Sequence, residues 1–419
     1  METRKLKTVF LVIFISFTTA FYLYYNSVKN NFKGDILSEK MYTLSTHEIA
    51  VKSFMDIRKI WSTSNLGKIL FLNENALNYK HPENDNKVYN VLIWKHLKWL
   101  QNRHIKSFGT ERTNPLDVCS VKNCIFTGND DDLVSADAVV VHLQKGQVPV
   151  VQNRSEDQIW VFLNDEAPPN AFSMSKSKHW TSFVDIFNWS MTYRSDSDVP
   201  VPYGRVVPLS LPKTFTENLI PNWKNKRKDV LVAILTSNCV NFRMDYINKL
   251  KNHIDVHVYG RCSQEFADSC PGHFKADCKP IGDYLFYLVF ENSKCKEYLT
   301  EKAFFNAFSK GSIPVIMGPS VEETTRLLPP NSFLHVDFYT STEELAKDVY
   351  RISKDNQLLK SYHDWRRDFE VVNEHGYFKT SSQHFCRICE ALNYNHRRRK
   401  IYDLNLLGSF LDPKLSCRK

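Results

Sequence analysis

The most concentrated group of reactive side chains directly follows an apolar run, Phe286–Phe290. It consists of two polar segments, Glu291-Asn292-Ser293 and Tyr298-Leu299-Thr300-Glu301-Lys302. Thr300 fits the N-cap of a helix whose first turn carries Glu301 and Lys302. A helix N-terminus at the carboxyl end of a strand binds phosphate readily, and a lysine there would neutralise a diphosphate. The same spacing also fits an ordinary capped helix with a surface Glu–Lys pair, so spacing alone leaves both interpretations open.

Two further positions could supply a cation and a base. Arg243 begins a predicted helix after a short polar stretch, where its guanidinium could enter a cleft or remain a surface charge. Asp165 and Glu166 follow the predicted strand Ile159–Leu163, in a loop stiffened by two prolines. Carboxylates in such a loop are well placed for general-base catalysis. The chemistry alone does not choose between Asp165 and Glu166.

The elements that must position these side chains alternate between short apolar runs and helical patterns, which predicts parallel sheets in two α/β domains. A ligand site is then expected in the cleft at the carboxyl ends of the strands. The predicted strands are Lys68–Leu72, Cys124–Thr127, Ala138–Leu143, Ile159–Leu163, Val230–Leu235, Val256–Tyr259, Phe286–Phe290, Ile313–Met317 and Phe333–Val336. The predicted helices include Arg243–Leu250, Leu299–Phe308 and Glu343–Ile352.

The N-terminus carries one long uncharged run, Thr8–Val28, preceded by Arg4, Lys5 and Lys7. Its length suits a single membrane span, and the preceding basic residues predict a cytoplasmic N-terminus. A signal peptide cleaved after Ala20 is the competing interpretation, but the apolar run continues past that position and favours an uncleaved signal-anchor. Either interpretation delivers the rest of the chain to the secretory lumen.

The composition excludes several classes of protein. Of the 419 residues, 42% are hydrophobic and 24% are charged, which indicates a globular chain rather than a disordered one. A multi-span membrane protein is excluded because only one long apolar run occurs. The net charge of +9 could favour acidic ligands such as nucleotide phosphates, and we expect no nucleic-acid partner. Two N-glycosylation sequons, at Asn153 and Asn188, agree with a lumenal location.

Two segments could be metal or redox motifs. Asp130-Asp131-Asp132 has the form of a D-x-D metal motif, but it follows Gly128-Asn129, and a solvated acidic turn is favoured. Cys386 and Cys389 could form a redox pair or half of a zinc site. A lumenal chain favours structural disulfides, so we expect most of the ten cysteines to be paired.

These features predict a division of the chain into seven parts. A polar stem separates the anchor from the first domain, and a proline-punctuated basic stretch separates the two domains. The predicted parts are a cytoplasmic tail 1–7, a transmembrane anchor 8–28, a stem 29–65, an N-terminal α/β domain 66–205, a linker 206–228, a C-terminal α/β domain 229–366 and a C-terminal tail 367–419 with the Cys-x-x-Cys pair.

Several long segments together resemble the α1,3-fucosyltransferase family, which is glycosyltransferase family 10. The similarity is ordered and runs from about Ala136 to Arg366, whereas residues 27–120 are much less recognisable. The segments that carry it are Asn188–Asp198, Pro202-Tyr203-Gly204, Phe286–Ser293 with Tyr298–Lys302, Ile313–Ser320 and Leu328–Asp337.

The resemblance implies an α/β enzyme of GT-B architecture, with two Rossmann-like domains facing a cleft after an N-terminal anchor and stem. Such an enzyme is a single-pass type II protein of the Golgi membrane with a lumenal catalytic domain. Its C-terminal domain would bind GDP-β-L-fucose, and its N-terminal domain would bind a glycan acceptor on glycoproteins or glycolipids. Fucose would be transferred with inversion, in α1,3 linkage, to N-acetylglucosamine. No cofactor is implied, and stimulation by a divalent cation is left open.

The resemblance also implies roles for individual residues. By position, Glu166 matches the family's proposed base, although the Asp165-Glu166-Ala167-Pro168-Pro169 loop departs from the usual form and keeps Asp165 as a rival. The donor-binding residues would be Arg243, Asn292, Tyr298, Glu301 and Lys302, and no residue is expected to ligate a metal.

The resemblance defines the acceptor less specifically than it defines the donor. The Cys-x-x-Cys pair is similar to members that act on the innermost N-acetylglucosamine of N-glycans, whereas Arg194–Asp198 looks more like members that act on outer antennae. The core of N-glycans is the first expectation, and Lewis-type antennae are the second. Two alternatives remain: a protein O-fucosyltransferase of the same family, and a non-catalytic lumenal protein that binds GDP-fucose or glycans.

Overall fold

The computed structural model describes residues 45–81, 86–106, 114–152, 154–175, 179–271, 276–396 and 400–418. The predicted cytoplasmic tail 1–7, the predicted anchor 8–28 and the sequon asparagine Asn153 lie outside these ranges. Within the described ranges, no helix combines the length and the apolar character needed to cross a bilayer. Residues 46–419 form one compact unit.

The first half of the chain forms a six-stranded sheet in which every neighbouring pair is parallel. Its two central strands, β3 and β4, are buried at every position, as expected for apolar runs covered on both faces. The strand order is β2-β1-β3-β4-β5-β6. The strands are β1 (Tyr89–Ile93), β2 (Cys124–Thr127), β3 (Ala138–His142), β4 (Ile159–Asn164), β5 (Trp189–Thr192) and β6 (Val199–Pro200).

The second half forms a five-stranded parallel sheet of order β12-β11-β10-β8-β9. Its central strands β10 and β11 are fully buried. The strands are β8 (Val232–Leu235), β9 (Val256–Tyr259), β10 (Phe286–Phe290), β11 (Ile313–Met317) and β12 (Leu334–His335). The predicted α/β class with parallel sheets is therefore confirmed, while the predicted domain limits stay a prediction.

Ten α-helices are present in the described part of the chain, together with short 3-10 and π-helical segments. The α-helices are α1 (Thr46–Asp56), α2 (Asn65–Leu72), α3 (Leu97–Gln101), α4 (Asn241–Leu250), α5 (Val321–Leu327), α6 (Thr342–Lys354), α7 (Asn356–Ser361), α8 (His384–Tyr394), α9 (Leu404–Leu411) and α10 (Pro413–Ser416). The two π-helical segments are Asn102–Lys106 and Lys302–Ala307.

The predicted linker begins inside a strand. β7 (Gly204–Pro208) pairs antiparallel with β13 (Phe369–Asn373), so the chain leaving the first sheet lies beside the chain that returns from the second. After β13 the C-terminal segment packs on the first sheet, and every residue of α8 is buried. Two disulfides attach the chain after β13 to the region of β2. They are Cys119–Cys386 and Cys124–Cys389, with S–S distances of 2.04 and 2.03 Å.

All ten cysteines are paired, which confirms the expectation of a disulfide-bonded chain. The other three bonds are Cys239–Cys262, Cys270–Cys278 and Cys295–Cys417. The Cys-x-x-Cys pair is therefore neither a redox pair nor half of a zinc site, because each of its sulfurs is bonded to a cysteine near or on β2.

The expectation of a strand at Lys68–Leu72 is wrong, because these residues form the end of helix α2. Local capping explains the difference. Ser64 Oγ accepts a hydrogen bond from the backbone N–H of Gly67 at 3.1 Å, and Asn73 ends the helix in the left-handed region at φ 54°. The helix packs against α8, so tertiary burial supports a conformation that the β-branched and aromatic composition disfavours.

The structure also differs over the described part of the predicted stem. Residues 46–56 form α1, whose Phe54 is buried and meets Phe369 edge to face at 4.9 Å. Arg58 is buried as well and donates from Nε to the carbonyl of Arg326 at 2.8 Å. This stretch belongs to the packed unit rather than to a flexible spacer.

Candidate functional site

The carboxyl ends of β4 and β10 border a cleft of about 630 Å³. Glu166 enters it from the loop after β4, Asn292 from the loop after β10 and Asn238 from the loop after β8. The remaining lining residues are Trp99, Asn102, Arg103, Gln144, Asn170, Ser173, Met174 and Tyr377. The predicted position of the site, at the carboxyl ends of parallel strands, agrees with this arrangement.

Glu166 lies where the two halves of the cleft meet. Its Oε1 accepts a hydrogen bond from the hydroxyl of Tyr298 at 3.2 Å, so a predicted base and a predicted donor-binding residue touch. Burial, reinforced by the negative charge of Asp165, raises the pKa of Glu166 to about 7. A carboxylate in these surroundings holds a proton more readily than an exposed one.

Asp165 points away from the cleft into the protein and is 1% exposed. Arg103 and His375 each approach its Oδ2 to 3.1 Å. Burial opposes ionisation of this carboxyl, but the Arg103 guanidinium and His375 hold its pKa well below the usual range. Of the two candidate bases, only Glu166 lines the cleft and carries a raised pKa.

The polar residues after β10 form a hydrogen-bonded cluster beneath the cleft. Glu291 is fully buried and accepts from the Thr300 N–H and from Thr300 Oγ1, both at 2.9 Å. Lys302 Nζ donates to Glu291 Oε2 at 2.9 Å and to Thr300 Oγ1 at 2.8 Å. Although burial penalises its charge, the carboxylates of Glu291 and Glu301 raise the pKa of Lys302, which stays an ammonium ion.

The segment after Thr300 is not the regular α-helix that the sequence predicts. Lys302–Ala307 is π-helical, and Thr300 Oγ1 accepts the Lys302 N–H at 3.4 Å. Lys302 folds back onto Glu291, while Glu301 contacts it at 3.4 Å and remains 18% exposed. The interpretation as an ordinary surface Glu–Lys pair does not describe Lys302, whose main partner is the buried Glu291; its contact with a diphosphate stays a prediction.

Arg243 is buried in the first turn of α4 and directs its guanidinium toward the end of β10. One of its terminal nitrogens donates to the Phe290 carbonyl at 2.9 Å, and the other donates to the Asn238 carbonyl. Its Nε and Asn292 Oδ1 have no hydrogen-bond partner among the described residues. Of these two residues, Asn292 lines the cleft and Arg243 does not.

Two predicted features lie away from this site. The amide of Asn188 is 8% exposed; its Nδ2 donates to the Lys400 carbonyl at 2.8 Å and its Oδ1 accepts the Trp160 N–H at 2.9 Å. Glycosylation there stays a prediction, and the buried, bonded nitrogen weighs against it. Asp130 and Asp131 are exposed and start a short 3-10 helix, as an acidic turn would.

Sequence reasoning missed a group of buried polar residues beside Asp165: Arg103, His104, His375 and His384. They come from the π-helical segment Asn102–Lys106, from the stretch after β13 and from the start of α8. No spacing in the sequence links these positions, so no local signal could have identified the group.

Comparison with protein families gives two consecutive matches. Residues 86–204 match the family description "Fucosyltransferase, N-terminal", and residues 223–406 match "Glycosyltransferase family 10 (fucosyltransferase) C-term". The two regions correspond to the first sheet and to the second sheet with the returning segment.

Characterised relatives agree with these matches. The chain is 35% identical over 253 residues to "4-galactosyl-N-acetylglucosaminide 3-alpha-L-fucosyltransferase 9" of Homo sapiens and of Bos taurus, covering 60% of this chain and 64% of each relative. It is 30% identical over 289 residues to "Glycoprotein 3-alpha-L-fucosyltransferase A" of Drosophila melanogaster, covering 67% of this chain and 53% of the relative. The matched region thus spans less than two thirds of these proteins.

Among solved structures, the chain is similar to an α1,3-fucosyltransferase crystallised with GDP-fucose. The TM-score is 0.45 and the identity 14%, over 80% of this chain and 99% of that one. The same comparison with a GDP complex gives a TM-score of 0.44 and 13% identity, over 80% of this chain and 99% of that one.

Proposed function

Because the chain belongs to glycosyltransferase family 10, the fucosyltransferases, we propose that it transfers L-fucose from GDP-β-L-fucose to an N-acetylglucosamine in α1,3 linkage. The observation that carries this proposal is the contact of Glu166 with Tyr298, since it joins an acceptor-side carboxylate to the donor-side motif. The α/β halves with a cleft between the ends of their sheets suit a GT-B enzyme, which binds its two substrates on opposite sides.

The reaction is a single in-line displacement. The acceptor hydroxyl gives its proton to Glu166 while its oxygen bonds to the anomeric carbon of fucose. The bond from that carbon to the β-phosphate oxygen breaks at the same time, and GDP leaves with the electron pair. Inversion follows, because nucleophile and leaving group occupy opposite faces of the sugar.

Charge on the departing diphosphate is stabilised by the protein's own cations. Arg243 is buried and Lys302 is partly buried on the donor side, where a fixed positive charge acts through a low dielectric. Asn292 Oδ1, which has no partner among the described residues, would accept a hydrogen bond from the ribose or the sugar. No step of this reaction requires a metal ion.

The acceptor would bind on the side of the cleft formed by Trp99, Asn102, Gln144 and Asn170. These groups are uncharged, and amides with an aromatic ring suit the hydroxyls and the apolar faces of a neutral saccharide. The core N-acetylglucosamine of N-glycans is our first candidate acceptor, and Lewis-type antennae are the second. The relatives' names include both a galactosyl-N-acetylglucosaminide and a glycoprotein acceptor, which supports this pair of candidates.

Residues 8–28 would anchor the enzyme in the Golgi membrane, with the catalytic part in the lumen. This proposal rests on the sequence pattern of the run and its flanking basic residues. The five disulfides support an oxidising compartment, because such bonds persist there.

The test is transfer by the purified full chain in detergent. GDP release would be measured with GDP-fucose and three acceptors: a core N-glycan, a lactosamine-bearing glycan and a folded protein without glycans. Fragmentation of the product by mass spectrometry locates the new fucose. Transfer to the 3-position of an N-acetylglucosamine supports the proposal. Transfer to the protein alone, or GDP binding without any transfer, would replace it with one of the two alternatives.

A further inference from the structure

A buried group beside the base is not used in the proposed reaction. It comprises His104, Asp165 and His384, which are 3%, 1% and 3% exposed. We propose that these three side chains bind a zinc ion. This site is separate from the substrate cleft, and the proposal does not depend on the fucosyl-transfer activity.

The first argument is convergence. One ring nitrogen of each histidine and one carboxylate oxygen of Asp165 all lie within 4.8 Å of one another. Zn–N bonds of ~2.0–2.1 Å place neighbouring ligands of a tetrahedral ion roughly 3.3 Å apart. The three side chains would therefore close by up to about 1.5 Å around the ion, and the two stacked rings would turn so that both lone pairs point at it.

The second argument is the orientation of the two imidazoles. Their rings stack with centroids 3.9 Å apart, and one hydroxyl, Ser382 Oγ, contacts Nδ1 of His104 at 2.8 Å and Nδ1 of His384 at 3.0 Å. That hydroxyl has one proton, so at least one ring must donate from Nδ1 and leave its Nε2 as a bare lone pair. His104 Nε2 has no hydrogen-bond partner among the described residues, and His384 Nε2 faces Asp165 Oδ2 at 3.6 Å.

The third argument is the state of Asp165. Neither of its oxygens accepts a hydrogen bond of good geometry from a described residue, although Arg103 and His375 lie 3.1 Å from Oδ2. A buried carboxylate normally fills its lone pairs, and Arg103 and His375 already hold Oδ2, so Oδ1, which has no hydrogen-bond partner among the described residues, is the oxygen available to a cation. Arg103 and His375 would then support the carboxylate from behind, as outer partners of zinc ligands do.

The types of ligand indicate which metal ion would bind. Two imidazoles with one carboxylate suit zinc, whereas magnesium and calcium prefer oxygen alone. His104 and His384 also border a cavity of about 10 Å³ whose other walls are apolar. Such a space holds roughly one water molecule and excludes a sugar. The ion would therefore take a water as fourth ligand and connect α8 to the loop after β4 and to the segment Asn102–Lys106.

The experiment measures bound metal in the full chain, purified without chelators from zinc-supplemented culture. Elemental analysis should find about one zinc ion per chain in the wild type, because three protein ligands hold it. The His104→Ala/His384→Ala variant should contain almost none. His142→Ala is the matched control, since His142 is also buried and its Nε2 also lacks a described partner. It should retain the zinc of the wild type.

A second readout keeps the test independent of how the variants fold. Wild-type protein loaded with cobalt in place of zinc should show the visible absorption of a tetrahedral cobalt ion with nitrogen and oxygen ligands. Added zinc should abolish that absorption, and added magnesium should not. A wild-type chain that holds neither zinc nor cobalt would overturn the proposal, and so would undiminished zinc in a folded His104→Ala/His384→Ala variant.

Discussion

Two buried carboxylates follow central strands on opposite sides of the cleft, and their surroundings differ. Glu291, after β10, accepts hydrogen bonds from Thr300 and Lys302, with four contacts between 2.9 and 3.1 Å. Asp165, after β4, is equally buried but accepts none of good geometry from a described residue. The carboxylate after β10 is thus held by hydrogen bonds, whereas the carboxylate after β4 is held by ion pairs with Arg103 and His375 and keeps Oδ1 without a hydrogen-bond partner among the described residues.

This difference distinguishes a carboxylate that holds its neighbours in place from a carboxylate that could bind a ligand. A carboxylate whose lone pairs are filled fixes the residues around it, as Glu291 fixes the ammonium group of Lys302. A buried carboxylate oxygen without a hydrogen-bond partner costs free energy unless something binds there. Glu166 lies between the two cases, because it has one contact with Tyr298 and faces the cleft. The following predictions test the roles of Glu166 and Glu291 and extend the comparison to other carboxylates.

The largest expected effect is loss of transfer on Glu166→Gln. The amide cannot take the acceptor proton, so kcat should fall by about 10²–10⁴-fold, the range for a general base. Calorimetry should show an unchanged affinity for GDP. The exposed Glu370→Gln variant serves as control and should keep full activity. Activity of Glu166→Gln within tenfold of the wild type would exclude Glu166 as the base.

Disrupting the hydrogen-bonded cluster of Glu291, Thr300 and Lys302 should mainly lower the stability of the fold. Glu291→Ala leaves the ammonium of Lys302 buried without its carboxylate, which should lower the free energy of unfolding by about 3–5 kcal/mol. The double variant Glu291→Met/Lys302→Met should recover much of that loss, because it removes both charges. Denaturant unfolding followed by circular dichroism measures both. A double variant less stable than Glu291→Ala would contradict this account of the cluster.

A third buried carboxylate, Glu374, extends the comparison to pH. Burial opposes its charge, but bonds from Arg205 and Arg387 at 2.7–2.9 Å lower its pKa to about 2, from a usual value of 4.5. Its contribution is therefore complete above pH 4.5 and is lost as the pH falls toward 2. It amounts to about 3 kcal/mol.

Unfolding of the Glu374→Gln variant at acidic pH tests the predicted direction of this pH dependence. The variant should be less stable than the wild type near neutral pH, and the difference should shrink steadily below pH 4.5. Unfolding free energies measured at several pH values give the result. A difference between wild type and variant that stays constant with pH would mean that the charge of Glu374 contributes nothing.

The smallest effect is expected at the exposed acidic turn. Asp130→Asn/Asp131→Asn should change stability by no more than about 0.5 kcal/mol, because neither side chain is buried. Zinc content and transfer activity should equal those of the wild type. Reduced zinc in this variant would place a metal site at the turn and weaken the contrast with the buried group.

Local features of the site could be predicted from the sequence where they lie in one continuous segment. The strand Phe286–Phe290 and the polar residues after it are neighbours in the chain, so their order already places them at one edge of a sheet. The same holds for Ile159–Asn164 and Glu166. The strand expected at Lys68–Leu72 failed because its conformation depends on the cap at Ser64 and on packing against α8.

The α/β class, the family and the polar loops after β4 and β10 follow from the sequence alone, because strand periodicity and motif order are local properties. Only the tertiary structure decided that Glu166 faces the cleft while its neighbour Asp165 points inward. It also decided the meeting of His104 with His384 and the pairing of Cys119 with Cys386 across 267 residues. These contacts form because the chain after β13 packs on the first sheet. They join residues that are far apart in the sequence, and no short-range pattern links such residues.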